Sequence, residues 1–216
     1  MSVFEDVAQS FKNPDAICNR KLRLHETHIA PLTNYVEALR VKYPDWEFPY
    51  FDPADGGIDA RLLFLLEKPG PKTSPPQGGS GFISRNNNDP TAEATFSFMK
   101  TAGIPREETV LWNTIPGWNG TIKIAPNELR YWLDRFDLKK LIHLLPNLEA
   151  IVLVGGKAQQ TRSLFEPYGK IFTSYHPARR NKNNPKTKAQ YDLIPTRWRE
   201  AYDYVLGKGV KHAKNI

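Results

Sequence analysis

Residues 61–70 read RLLFLLEKPG, a short apolar run followed by two charged residues and then by proline and glycine. Three similar runs occur further along the chain, at 109–115 (TVLWNTI), 150–154 (AIVLV) and 170–175 (KIFTSY). They are too short for isolated helices, and Pro or Gly follows each of them within a few residues, which is typical of strands. Their nearly continuous apolar character predicts strands buried on both faces of a parallel sheet.

Helical patterns lie between these runs. Asp89 followed by Pro90 has the form of a helix cap and first turn, and Gly103 is a fitting terminator. Strands that alternate with helices imply right-handed crossovers, so we predict an α/β fold, a three-layer αβα sandwich with a central four-stranded, mostly parallel sheet. We find no repeat and no linker, and we expect residues 1–216 to form a single domain. The predicted helices are 29–42, 91–102, 127–145, 157–165 and 196–206.

Composition limits the classes of function. The 216 residues are 40% hydrophobic and 25% charged, which is typical of a globular protein, and the net charge of +7 favours polyanionic partners. The single cysteine, Cys18, excludes an internal disulfide framework and a four-cysteine metal or iron–sulfur site. No apolar run has the length of a membrane span, and Glu5 and Asp6 replace the basic start of a signal segment. We therefore expect an intracellular, cytoplasmic protein without a membrane partner.

Three irregular stretches, 69–88, 117–125 and 178–188, follow the carboxyl ends of predicted strands. The first contains several prolines and glycines, and the last is predicted to be a basic loop. Ligands of open parallel sheets bind at the carboxyl ends of the strands. The sequence therefore predicts a ligand site formed by these loops.

Each predicted strand delivers unusual residues to that edge of the sheet. Taken singly, each has an ordinary structural explanation, and their shared edge is what favours a site. The Gly-Gly-Lys run at 155–157 is not a nucleotide-triphosphate phosphate loop, because Ile151 and Ala158 occupy positions that require Gly and Ser or Thr. A zinc deaminase is excluded because no Cys-x-x-Cys is present. The four groups are Glu67-Lys68, Asn113, 155–157 and 174–180 (SYHPARR).

The motifs, read in chain order, resemble those of the uracil-DNA glycosylase superfamily over approximately residues 61–180. Residues 67–70 (EKPG) resemble the Glu-Ala-Pro-Gly of the thermophile-type, iron–sulfur class and the Gln-Asp-Pro-Tyr of the widespread class. Residues 81–85 (GFISR) resemble the Phe-Val-Gly-Arg segment of the thermophile-type class. Asn113 corresponds to the base-reading Asn, Gly155-Gly156 to the turn that approaches DNA phosphate, and 174–177 (SYHP) to the His-Pro motif.

The chain also departs from the described classes. Cys18 alone cannot hold the iron–sulfur cluster of the thermophile-type class. Lys68 stands where the widespread class has its water-activating Asp, Gly70 where that class has a methyl-excluding Tyr, and Ala178 where Ser usually follows His-Pro. The resemblance therefore implies an atypical member.

The resemblance implies roles for residues at the predicted site. Phe82 is expected to stack on a base extruded from DNA, with Lys68 and Gly70 as further base-binding residues. The carboxamide of Asn113 can accept from uracil N3–H and donate to O4, whereas cytosine presents the opposite pattern. His176 is expected to donate to the base O2, and Glu67 to hold the attacking water and stabilise the cationic sugar.

DNA phosphates are expected to contact the backbone amides of Gly155 and Gly156. Cationic side chains nearby would add to this contact: Lys157, Arg179, Arg180 and Lys182. Lys68 is expected to point to a phosphate or to solvent. The alternative, a neutral Lys68 that forms a Schiff base with the sugar, would give the enzyme strand-nicking activity.

The sequence thus predicts a monofunctional uracil-DNA glycosylase of base-excision repair. It is expected to act as a monomer on single- or double-stranded DNA that contains uracil, without a metal or cofactor. Two alternatives stay open. One is a member that binds uracil-containing or damaged DNA without cleaving it, and the other is a glycosylase for another deaminated base such as hypoxanthine, for which Gly70 leaves room.

Overall fold

A computed structural model describes residues 6–125, 127–135 and 138–207 of the chain. Four parallel strands form the main sheet in the order β4-β2-β5-β6, and β1 pairs with β3 in a separate two-stranded parallel sheet. This confirms the predicted α/β class and its four-stranded parallel sheet. The strands are β1 (Tyr50–Phe51), β2 (Leu62–Leu66), β3 (Phe82–Ile83), β4 (Thr109–Asn113), β5 (Ala150–Val154) and β6 (Lys170–Ser174).

Three of the predicted helices agree with the structure to within two residues at each end. The Asp89 side chain accepts hydrogen bonds from the amides of Thr91 and Ala92, as expected for a helix cap. The ten described α-helices are α1 (Pro14–Lys21), α2 (Ala30–Lys42), α3 (Pro90–Thr101), α4 (Glu128–Arg135), α5 (Leu138–His143), α6 (Gly156–Gln159), α7 (Arg162–Phe165), α8 (Arg179–Asn183), α9 (Pro185–Asp192) and α10 (Ile194–Val205).

Other predictions of helices and loops require correction. The predicted helix 127–145 consists of α4 and α5, and residues 136–137 between them lie outside the described residues. The predicted helix 157–165 is divided into α6 and α7. The predicted basic loop 178–188 is wrong, because α8 and α9 occupy most of it. The Asn184 side chain caps α9 by accepting from the Lys186 amide at 3.0 Å, with proline in the first turn, the same signal that starts α3.

The register of the strands explains the three layers. Phe64 of β2 lies opposite Leu111 of β4, and Leu65 lies opposite Trp112, so Phe64 and Trp112 face opposite sides of the sheet. On one side the Phe64 ring packs edge-on against Trp198 of α10, with ring centroids 5.0 Å apart. On the other side Trp112 stacks on Phe51, with centroids 3.8 Å apart. Tyr35 of α2 also packs edge-on against Trp112, with centroids 6.3 Å apart, so helices on both sides contribute to covering the sheet.

The same register brings the ends of the strands together. Leu66 pairs with Asn113 at the end of β2 and β4, and Val154 pairs with Ser174 at the end of β5 and β6. The segments that follow these strands therefore leave the sheet at one edge. None of the described helices is both long enough and apolar enough to cross a membrane.

Candidate active site

A cavity of about 320 Å³ lies at the carboxyl edge of the sheet. Segments that follow β2, β3 and β6 contribute to its walls, together with the ends of β3 and β4 and the first turns of α3. Its principal polar and small lining residues are Lys68, Gly70, Ser84, Arg85, Asn87, Asp89, Asn113 and His176. Four of the residues predicted for the site, Lys68, Gly70, Asn113 and His176, thus share one cavity.

Asn113 ends β4 and is only 3% exposed. Its side-chain amino group, Nδ2, is buried and has no hydrogen-bond partner among the described residues. The next residue, Thr114, fixes the backbone, because its N–H donates to the Leu66 carbonyl at 2.8 Å and its hydroxyl donates to the Glu67 carbonyl at 2.9 Å. An amide with an unused donor is therefore held at the cavity wall by a fixed segment of backbone.

His176 lies two residues beyond the end of β6 and also lines the cavity. Its Nδ1 is buried without a hydrogen-bond partner in the described part of the chain. Burial lowers the pKa of the imidazole and Arg180 lowers it further, whereas the Glu67 carboxylate opposes both. The imidazole is therefore neutral at neutral pH and can offer one N–H and one acceptor nitrogen.

Glu67 lies next to Gly155 and is not among the residues that line the cavity. Its Oε1 accepts the backbone N–H of Lys157 at 3.0 Å. A β-carbon placed on Gly155 would lie 2.5 Å from that Oε1 and 3.2 Å from Cβ of His176. A glycine is therefore required for Glu67 and His176 to approach each other at this point.

The predicted phosphate contact through the Gly155 amide is wrong. That N–H donates to the Ser174 carbonyl at 3.0 Å and so continues the ladder between β5 and β6. Gly156 is exposed at the start of α6, and its proposed contact with phosphate stays a prediction. In this turn the Gly155 amide is thus used by the sheet, and the Lys157 amide holds Glu67.

The sequence suggested that Lys68 points to a phosphate or to solvent, but the structure shows a buried side chain with protein partners. Its side chain is 3% exposed, and its ammonium group donates to Asn119 Oδ1 at 2.8 Å and to the Lys123 carbonyl at 3.3 Å. It also forms an ion pair with Glu128, whose second oxygen accepts the Ala125 amide at 3.0 Å. Lys68 therefore ties the loop after β2 to the loop after β4.

The predicted stacking role of Phe82 is not supported by the structure. The ring is completely buried and packs against Phe11 and Tyr50, with centroids 5.8 and 6.1 Å away. Ile83 lines the cavity instead, because successive strand residues point to opposite sides. The sequence identified the correct segment but not which of its two apolar residues faces the cavity.

The basic residues after Pro177 are exposed, as a DNA contact would require. Arg179, Arg180 and Lys182 lie on α8, three to six residues beyond His176. Within the described part of the chain, no carboxylate lies within salt-bridge distance of these three cations, or of Lys157. Their role in binding DNA stays a prediction, but the three cations of α8 present positive charge without an ion-pair partner in the described part of the chain, within six residues of His176.

A buried ionic cluster that sequence reasoning missed supports one wall of the cavity. Arg106 pairs with Asp52 and, at 2.8 Å, with Asp55, while Arg85 lies 3.6 Å from Asp55. Arg20 also pairs with Asp52, and the hydroxyl of Ser84 donates to it. Ser84 and Arg85 line the cavity, so the cluster fixes that wall to the protein interior.

The two aspartates of the cluster have opposite pKa shifts. Burial disfavours ionisation of Asp52, but Arg106, Arg20 and the Ser84 hydroxyl outweigh it and lower the pKa to about 2. Burial dominates at Asp55 and raises its pKa to about 6, despite Arg106 and Arg85. The only sequence signal for this cluster is the polar run DPADGG at 52–57, whose partners are distant along the chain.

The fold and the cavity define a three-layer α/β protein with a ligand site at the carboxyl edge of its sheet. The family model described as the uracil DNA glycosylase superfamily matches residues 53–200. The chain therefore belongs to the uracil DNA glycosylase superfamily, which places it among DNA glycosylases with DNA as the partner.

Among solved structures, the crystal structure of wild-type SMUG2 from Pedobacter heparinus is similar to this chain. The match covers 84% of this chain and 86% of that one, with 15% sequence identity and a TM-score of 0.48. Among curated proteins, none matches the chain.

Proposed function

We propose that the protein is a monofunctional glycosylase that hydrolyses the N-glycosidic bond of uracil in DNA and leaves an abasic site. The observation that carries this proposal is the buried, unpartnered Nδ2 group of Asn113 at the wall of a cavity that also contains His176. A buried donor without a partner costs about 1–3 kcal/mol, which a ligand with a matching acceptor would recover.

Uracil provides the matching groups. Its O4 can accept from Nδ2 of Asn113, while its N3–H can donate to Oδ1 of the same amide. Cytosine presents an amino donor and a ring acceptor at these positions, so one orientation of the amide discriminates between the two bases. The Thr114 contacts to the β2 loop support this discrimination by limiting movement of the Asn113 backbone.

His176 is suited to the chemical step. As the bond between C1′ of the sugar and N1 of uracil breaks, negative charge grows on the base. An N–H of the neutral imidazole can donate to O2 of uracil, and loss of one such donor typically costs about 10²–10³ in rate. The lowered pKa of His176 supports donation from a neutral ring at physiological pH.

The exposed cations of α8 are proposed to contact the DNA backbone. Extruding a nucleotide from the duplex costs a few kcal/mol, which contacts to phosphate and to the base must offset. Arg179, Arg180 and Lys182 are exposed and close in sequence to His176. Binding through them is expected to weaken with increasing salt concentration.

Lys68 is not expected to form a Schiff base. A protonated amine that donates to three acceptors, one of them a carboxylate, has no lone pair available for C1′ of the sugar. Treating the protein with borohydride and a uracil oligonucleotide is therefore expected to trap no covalent complex, and denaturing electrophoresis measures this. A trapped species that Lys68→Met abolishes would instead show a nucleophilic Lys68 and strand-nicking activity.

One observation favours a second candidate, a glycosylase for another deaminated base. A β-carbon placed on Gly70 would meet no atom within 4 Å, so this side of the cavity is open. At about 30 Å³ for each water molecule of the liquid, the cavity of about 320 Å³ has the volume of roughly ten waters, which is more than one pyrimidine ring occupies. A purine such as hypoxanthine is the base that this additional room would admit.

The proposal is tested with labelled single- and double-stranded oligonucleotides that contain uracil, hypoxanthine or a thymine mismatch. Alkali-labile cleavage is expected at uracil, and Asn113→Ala is expected to lower its single-turnover rate by about 10–100-fold, since one base-edge pair contributes about 1–3 kcal/mol. Asn147→Ala serves as the control, because Asn147 is exposed at the opposite edge of the sheet.

Three results would contradict the proposal in different ways. Tight binding to uracil-containing DNA without alkali-labile sites would favour a binding protein. A faster reaction with hypoxanthine than with uracil would favour the second candidate. Equal rates for the wild type and Asn113→Ala would show that Asn113 does not recognise the base.

A further inference from the structure

Asp89 is the one carboxylate among the described residues that line the cavity. It immediately precedes α3 and shares the cavity with Asn113 and His176. The sequence pattern around Asp89 indicates only a helix cap. The structure shows that the capping residue also borders the space in which an extruded nucleotide would lie.

The cap fixes the orientation of this carboxylate. Oδ1 accepts the N–H groups of Thr91 and Ala92 at 2.8 and 2.9 Å. No hydrogen bond within the described part of the chain engages Oδ2. One oxygen therefore anchors the side chain to the first turn of a 12-residue helix, and the other is free to accept from a ligand or a water molecule.

The other candidate carboxylate is placed differently. Glu67 does not line the cavity, and its Oε1 is occupied by the Lys157 amide beside Gly155. It contributes instead to the electrostatic surroundings of His176. Glu67 is thus arranged to act on the imidazole rather than directly on a substrate.

We propose that Asp89, rather than Glu67, is the catalytic carboxylate that stabilises the cationic sugar and accepts a proton from the attacking water. This inference rests on the proposed glycosylase function. In the step, the bond between C1′ and the base nitrogen breaks and its electron pair leaves with the base. The water oxygen bonds to C1′, its proton passes to Oδ2 of Asp89 and then to solvent, and the base anion is protonated by solvent.

The charges around Asp89 are compatible with this role. Three cations also line the cavity: Lys68 is paired with Glu128, Arg85 lies beside Asp55, and Lys72 is exposed to solvent. Burial raises the pKa of Asp89, whereas the Thr91 and Ala92 amides and Lys72 oppose that rise. A partly desolvated carboxylate interacts more strongly with a developing cation than an exposed one does.

The proposal is tested by binding rather than by turnover. DNA that carries a cationic pyrrolidine in place of one deoxyribose mimics the charged sugar, and DNA with a neutral tetrahydrofuran at that position is its matched reference. Wild-type protein is expected to bind the pyrrolidine duplex at least about tenfold more tightly than the tetrahydrofuran duplex. Asp89→Asn keeps a capping oxygen but removes the charge, so this preference is expected to disappear.

Two further variants separate Asp89 from the other carboxylates. Glu67→Gln is expected to retain the preference for the pyrrolidine duplex. Glu93→Gln is a control in the first turn of α3, because Glu93 is exposed and does not line the cavity. This variant is also expected to retain the preference for the pyrrolidine duplex. A thermal melt of Asp89→Asn that matches the wild type excludes loss of the helix as the cause.

The outcomes for Asp89 and for the proposed function are distinct. A pyrrolidine preference that persists in Asp89→Asn, is lost in Glu67→Gln, or is absent from the wild type would overturn the assignment of Asp89. Failure of the proposed function would appear separately, as the absence of alkali-labile sites in uracil-containing DNA treated with the wild type.

Discussion

Asp52→Asn is expected to lower the free energy of unfolding by about 3–5 kcal/mol. Asp52 is fully buried and is the shared partner of Arg20 and Arg106. Replacing its carboxylate with a neutral amide would leave the largely buried guanidinium groups of Arg20 and Arg106 with less negative charge to balance their own. Small domains are stable by only about 5–15 kcal/mol in total, so urea denaturation should resolve the loss clearly.

Asp134→Asn provides the control for this measurement. Asp134 pairs with Arg130 at 3.8 Å, and both side chains are largely exposed. Exposed pairs one helical turn apart contribute only about 0.3–0.5 kcal/mol, so this variant should unfold almost like the wild type. Similar losses for the two variants would mean that the buried cluster contributes no more than a surface pair.

The pH dependence of the Asp52 effect has a defined sign. The pKa of Asp52 is lowered to about 2 in the folded protein, so ionised Asp52 stabilises the fold above its ordinary pKa. This contribution is lost as the pH falls from about 4 towards about 2. The difference in unfolding free energy between the wild type and Asp52→Asn should therefore be smaller at about pH 3 than at about pH 7.

Gly155→Ala is expected to cost stability and to disturb the site. Gly155 has φ +92° and ψ 162°, a region that is essentially restricted to glycine, where a side chain costs about 1–3 kcal/mol. The new β-carbon would also displace Glu67 from the Lys157 amide, and a hydrogen bond to a charged group contributes about 1.5–3 kcal/mol. We expect a lower urea midpoint and a reduced rate of uracil release.

Gly156→Ala is a matched control one residue away. A β-carbon on Gly156 would meet no atom within 4 Å, and its φ is not positive. This substitution should change stability by no more than about 1 kcal/mol, with some gain from lower entropy of the unfolded chain. If both alanine variants behaved alike, neither the conformation of Gly155 nor its contact with Glu67 would be important.

The sequence alone determined the sheet and the edge at which the site lies. Continuous apolar runs predict buried parallel strands, and residues that follow such strands share one edge of the sheet. Asn113 and His176 could be predicted on this basis, because Asn113 ends a strand and His176 lies two residues beyond one. The helix cap at Asp89 could also be predicted from the sequence, since capping depends on residues only two or three positions apart.

Tertiary structure decided which side chains face the cavity. In the two-residue strand β3, the Phe82 side chain points into a separate apolar cluster and the Ile83 side chain faces the cavity. The pairing of β3 with β1 sets these directions. Lys68 is enclosed by partners 51–60 residues away, and Asp52 by cations 32 and 54 residues away. Local patterns specify strands and caps through neighbouring residues, whereas burial of a charge depends on partners that only the folded chain brings together.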